Sequence, residues 1–150
     1  FNSKIKENWM FANSIHCVDL IRFFGGDIKQ IKSNSNISEY NFNANGICNN
    51  KIDFSYSSNW KKQSKWNISI FADDVKIIFE PLENGKIITK NQDIQIIPSK
   101  EDVKFKPGFY AQISHFLENF VKKYEKKWPG SNLEDHKKSI KLIEDIFIKI

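Results

Sequence analysis

The chain has 150 residues, 40% hydrophobic and 27% charged, and its 23 basic residues against 18 acidic ones give a formal net charge of +5. This length buries roughly two-thirds of the unfolded surface, enough for one domain with a core that needs no disulfide or metal staple. No apolar run approaches the roughly 18 to 20 residues of a membrane span, and the lysines are scattered (Lys61-Lys62, Lys122-Lys123 with Lys126-Lys127, Lys137-Lys138) rather than gathered with interleaved aromatics, which argues against a membrane protein and a nucleic-acid binder.

The first element is a short amphipathic helix over Met10 to Asp27. Ile15, Val18, Leu20, Ile21 and Phe24 give it an apolar stripe at helical spacing, Asn13 or Ser14 can cap its start, and Gly25-Gly26 can stop it. His16 and Asp19 fall on one side, about one turn apart. A neutral imidazole is the side chain best suited to move a proton near neutral pH, and a nearby carboxylate can fix its tautomer and raise its basicity. Spacing alone favours the plainer alternative, a half-buried helix whose His and Asp are satisfied by backbone groups.

Asp27 to Ile31 reads as a short strand, followed by a polar loop rich in Asn and Ser to about Ser38. Tyr40, Phe42, Ala44 and Ile47 predict a second strand, Asn49-Asn50 a turn, and Ile52, Phe54, Tyr56 and Ser58 a strand of strict period two, so the pair is antiparallel. Trp60 ends that strand and Lys61 to Ser64 form a polar turn. The alternation resumes from Trp66 through Ile68 and Ile70 to Phe71, turns at Ala72-Asp73-Asp74, and continues as Val75 to Phe79. Glu83-Asn84-Gly85 marks a hairpin into Lys86 to Thr89, and Ile94 to Ile97 is a last short strand. Such a meander is antiparallel and can leave one sheet face free for a partner.

Lys106-Pro107-Gly108 punctuates a change to helix, with Phe109, Ile113, Phe116, Leu117, Phe120, Val121 and Tyr124 on one stripe and Trp128-Pro129-Gly130 as its end. Ser131 with Glu134 forms a capping box for a closing helix whose stripe is Ile140, Ile143, Ile146, Phe147 and Ile150. One helix, a sheet and two helices make an α+β domain.

Several chemistries have no footing. None of the six glycines stands at Gly-x-Gly spacing, so the chain carries neither a dinucleotide fingerprint nor a phosphate loop. His16, Cys17, Cys48, His115 and His136 are dispersed and match no zinc spacing, and no Gly-x-Ser-x-Gly elbow occurs. Cys17 and Cys48 fit reduced buried thiols, which favours a cytoplasmic protein. His115 and His136 sit beside the apolar stripes of their helices, as core-edge residues commonly do. Trp60, Trp66 and Tyr56 read as sheet packing rather than a sugar platform. Asn36-Ile37-Ser38 and Asn67-Ile68-Ser69 match the glycosylation pattern, but a chain this rich in Asn and Ser generates such matches by chance. Phe1 at the start, with Met10 the only methionine, suggests a piece of a longer protein.

The order of elements and the wording of several segments resemble the C-terminal domain of the glucose-fructose oxidoreductase/inositol dehydrogenase (Gfo/Idh/MocA) family. Ser14 to Gly26, with His16 followed three residues on by Asp19 and ending in glycine, is similar to that domain's first helix. Ile52 to Leu82, with Trp60, Trp66 and Phe79-Glu80-Pro81-Leu82-Glu83, resembles the sheet region of one subgroup. Lys106 to Ile113 with Phe116-Leu117, and Asn132 to Asp135 with Leu142-Ile143, resemble the two closing helices.

The resemblance implies an open, mainly antiparallel sheet with helices packed on one face, as in dihydrodipicolinate-reductase-like C-terminal domains. It implies one domain over residues 1–150 that lines the sugar or polyol pocket of a longer enzyme, while an absent N-terminal Rossmann domain holds NAD or NADP and supplies the usual catalytic lysine. The fragment alone binds no cofactor or metal and is inactive. His16 corresponds to the active-site histidine that takes a proton from the substrate hydroxyl or orients it, Asn13 is its nearest substrate-binding company, and Asp19 is structural support. Many family members place an aspartate four residues before the histidine, where this chain has Ala12. Self-association through the open sheet face into a dimer or higher oligomer follows from the same resemblance. The alternative is a non-catalytic sheet module for self-association or partner docking.

Overall fold

The structure, a computed structural model, describes residues 8–63, 65–121 and 131–148. The chain forms two compact units, residues 1–64 with 131–150 and residues 65–130. Both are built from helix and antiparallel strand, so the class is α+β.

The first unit opens with a π-helical turn, Met10–Ser14, that runs directly into helix α1, Ile15–Gly25. Neither Asn13 nor Ser14 caps α1 in the expected way. Trp9 and Ser14 are already helical, so the first amides of α1 meet carbonyls of the preceding turn and need no side-chain acceptor. The stop is the expected one, with Gly26 at φ 82° donating its amide to the Arg22 carbonyl at 2.8 Å. The apolar stripe is narrower than its spacing suggests: Val18 is fully buried with Ile15 and Ile21 packed beside it, whereas Phe24 is exposed and meets Phe23 edge-on at 5.0 Å.

Strands β1 (Ile28–Ser33), β2 (Asn41–Cys48) and β3 (Asp53–Asn59) form one antiparallel sheet in sequence order. Phe42 and Ala44 of β2 and Tyr56 of β3 lie on one face, and Asn43, Asn45, Ser55 and Ser57 on the other, as the period of two requires. Helix α4, Leu133–Phe147, covers the apolar face together with α1, burying Leu142, Ile143, Ile146 and Phe147 against Val18, Phe42, Ala44 and Tyr56. Its start differs by one residue from expectation. Asn132, not Ser131, accepts from the Glu134 and Asp135 amides at 2.9 and 3.0 Å, and the Asp135 carboxylate accepts from the Asn132 amide at 3.4 Å. The far end of α4 is held by two serines, Ser33 and Ser35, whose hydroxyls each donate to the Ile146 carbonyl at 2.6 Å.

The expected single sheet is two. β3 ends as Trp60 turns into the first unit's core, 4.5 Å from the Phe42 ring and 5.9 Å from that of Phe147, and the polar stretch that follows is too long for the tight turn of a hairpin. Strands β4 (Ile68–Ala72), β5 (Val75–Phe79), β6 (Gly85–Ile88) and β7 (Asp93–Ile96) form the second sheet, again in sequence order. β4 begins at Ile68 rather than Trp66. The register aligns Ile70, Ile77, Ile87 and Ile94 in one row and Ile68, Phe79, Gly85 and Ile96 in the next, so one face is apolar throughout. Gly85 admits the close approach of Phe79 and Ile96, each of which would lie 2.7 Å from an added Cβ.

Two short helices follow. α2, Lys100–Lys104, is an element beyond those the sequence pattern predicts, and Ser99 with Asp102 forms its start: the Ser99 hydroxyl accepts from the Asp102 amide at 3.0 Å and donates to its carboxylate at 2.9 Å. α3, Phe109–Phe116, begins where Gly108 reaches φ 80° and continues as a π-helical turn, Leu117–Val121. Tyr124, the Trp128-Pro129-Gly130 stop and Ile150 lie outside the described residues.

Candidate functional site

His16 is exposed one turn into the helix, Asn13 is half-buried in the π-helical turn before it, and Ala12 is exposed at the position where the resembled family carries its aspartate. Asp19 reaches toward α4, and its Oδ1 accepts a short hydrogen bond from the Ser139 hydroxyl. Asp19 is thus engaged in the contact between α1 and α4, and His16 is exposed.

The contact that orients α1 centres on Arg22, whose side chain is only 9% exposed. Its Nη1 donates to the Asp135 carbonyl at 2.7 Å and to the Ser139 hydroxyl at 2.8 Å, and its Nη2 to Asp27 at 3.0 Å and Asp135 at 3.4 Å. Asp19 stands 3.7 Å from the same guanidinium, and Lys138 reaches Asp27 from the far side at 2.5 Å. Three carboxylates thus surround one buried cation, which offsets the desolvation that an isolated guanidinium would suffer. The Lys138 and Arg22 hydrogen bonds hold the Asp27 carboxyl below the usual aspartate range, against a small opposing effect of burial. In the sequence, an arginine bracketed by Leu20, Ile21 and Phe23 is the signal of a buried charge that must find partners.

A cleft of about 530 Å³ opens beside this network, lined among others by Arg22, Asp27, Lys29, Gln30, Lys138 and Lys141. Neither His16 nor Asn13 lines it. Its charges are largely engaged with one another: besides the Asp27 pairs, Lys137 meets Glu134 at 2.6 Å and Lys141 meets Asp145 at 3.4 Å. It is a salt-linked seam at the edge of α4 rather than a receptor for the expected hydroxyl substrate.

The remaining candidates are structural in placement. Trp60 and Tyr56 pack in the core, Trp66 is partly exposed, and Cys17 and Cys48 are free thiols, the second buried. Burial pushes both thiols up, with the Asp53 charge adding to the effect at Cys48. The Asn119 amide donates to His115 Nδ1 at 2.7 Å, and His136 is exposed. Among the described residues no group of three or more His, Cys, Asp or Glu is arranged to hold a metal ion, and no helix is long and apolar enough to cross a membrane. Among the described residues the strands are all antiparallel and no glycine-rich loop joins a strand to a helix.

No protein-family model, curated protein or solved structure matches the chain.

Proposed function

We propose that the chain is the C-terminal substrate-binding and oligomerisation domain of an NAD(P)-dependent oxidoreductase acting on a sugar, polyol or related hydroxy compound. The observation that carries this reading is the placement of His16, exposed on a helix that Asp19 and Arg22 tie to α4 through Ser139. A rigidly mounted imidazole can accept a proton from a substrate hydroxyl or hold that hydroxyl by a hydrogen bond, with little reorganisation on binding. Asn13, one turn earlier, supplies an amide suited to a second hydroxyl. The ordered resemblance of the α1, sheet and closing-helix segments supports the same assignment.

In this reading NAD or NADP is held by a separate Rossmann domain. The protein is cytoplasmic, and its partners are the small hydroxy compound and further copies of itself, without nucleic acid or membrane. The continuous apolar face of the second sheet, with Ile94 exposed on its edge strand, supports self-association through that face.

The test is the upstream reading frame and its product. A frame encoding a strand, Gly-x-Gly-x-x-Gly, a helix and a lysine near the junction, whose full-length protein reduces NAD⁺ or NADP⁺ with a sugar or polyol, is the expected result. A gene with no such frame overturns the proposal. The same apolar sheet face favours a second reading, a non-catalytic module for self-association, which requires His16→Ala to leave the full-length protein's properties unchanged.

A further inference from the structure

We draw no further inference here: the strongest candidate, the cleft of about 530 Å³ between strand β1 and helix α4 in the first unit, has its Lys137, Lys138 and Lys141 paired with Glu134, Asp27 and Asp145 of its own lining, and nothing in the structure shows what it would hold.

Discussion

Arg22 donates to the Ser139 hydroxyl at 2.8 Å across 117 positions of sequence, and that hydroxyl in turn donates to Asp19. Ser139 is thereby a relay between the cation and the anion of α1, and its own burial to 1% exposure keeps water from replacing it. The orientation of α1, and with it the direction in which His16 faces, depends on this relay.

Removing the cation should cost more than removing the relay. Arg22→Met leaves three carboxylates facing one another without their shared partner and is expected to lower the unfolding free energy by about 3 kcal/mol. Ser139→Ala deletes one donor and one acceptor from a network that keeps its other bonds, at about 1–2 kcal/mol. Urea denaturation of the two variants gives the order; equal losses would show that Arg22 contributes only through Ser139.

The same network makes the fold sensitive to acid. Asp27 is held below the usual carboxylate range by its hydrogen bonds to Lys138 and Arg22, so its stabilising contribution is fully present above the ordinary aspartate value of about 3.9 and is lost as pH falls through that value toward the lowered one. Asp27→Asn should reduce stability at neutral pH and flatten the acid limb of a stability–pH curve. Because the carboxylate is 40% exposed, added salt should shrink the difference.

Two glycines test how tightly the first unit is packed. A Cβ at Gly46 would run into the backbone carbonyl of Gln30 and the Phe54 ring, whereas at Gly25 it would meet the Cys48 side chain at 2.5 Å. Backbone in a strand ladder yields less than a thiol, so Gly46→Ala should cost about 3 kcal/mol and Gly25→Ala about 1 kcal/mol. Thermal melts of the pair would show the reverse order if β1 can slide away from β2.

The cysteines should behave as core residues. Cys48 is inaccessible and Cys17 half-buried, and burial keeps both as neutral thiols. Alkylation by iodoacetamide at pH 7 should be slow in the native protein and complete in denaturant, with Cys17 the faster of the two. Immediate labelling of Cys48 would contradict the buried end of β2.

The sequence was informative where period and punctuation agree. The strict alternation from Phe54 to Ser58 marks β3, Val75 to Phe79 reads directly as β5, and Gly25-Gly26 ends α1 because only glycine takes the φ of 82° at position 26 without strain. Sheet membership was not legible, because alternation looks the same whether β4 pairs with β3 or only with β5; the departure of Trp60 into the core separates the sheets, and burial is a tertiary outcome. His16 and Asp19 stand out as a pair in the sequence, but spacing cannot show that Ser139, far along the chain, donates to Asp19. The role of Arg22 is not legible in the sequence, since a charge inside an apolar helix segment implies partners that only the folded chain identifies.

The most direct test of the proposed function is the steady-state kinetics of the full-length protein carrying His16→Ala, with the sugar or polyol that reduces NAD⁺ or NADP⁺ fastest in the wild type. Loss of a group that moves a proton from the substrate hydroxyl should lower kcat by at least about 100-fold. The urea midpoint should change little, because His16 is exposed. A variant that keeps its wild-type kcat and KM contradicts the assignment of His16 and favours the non-catalytic reading of this domain.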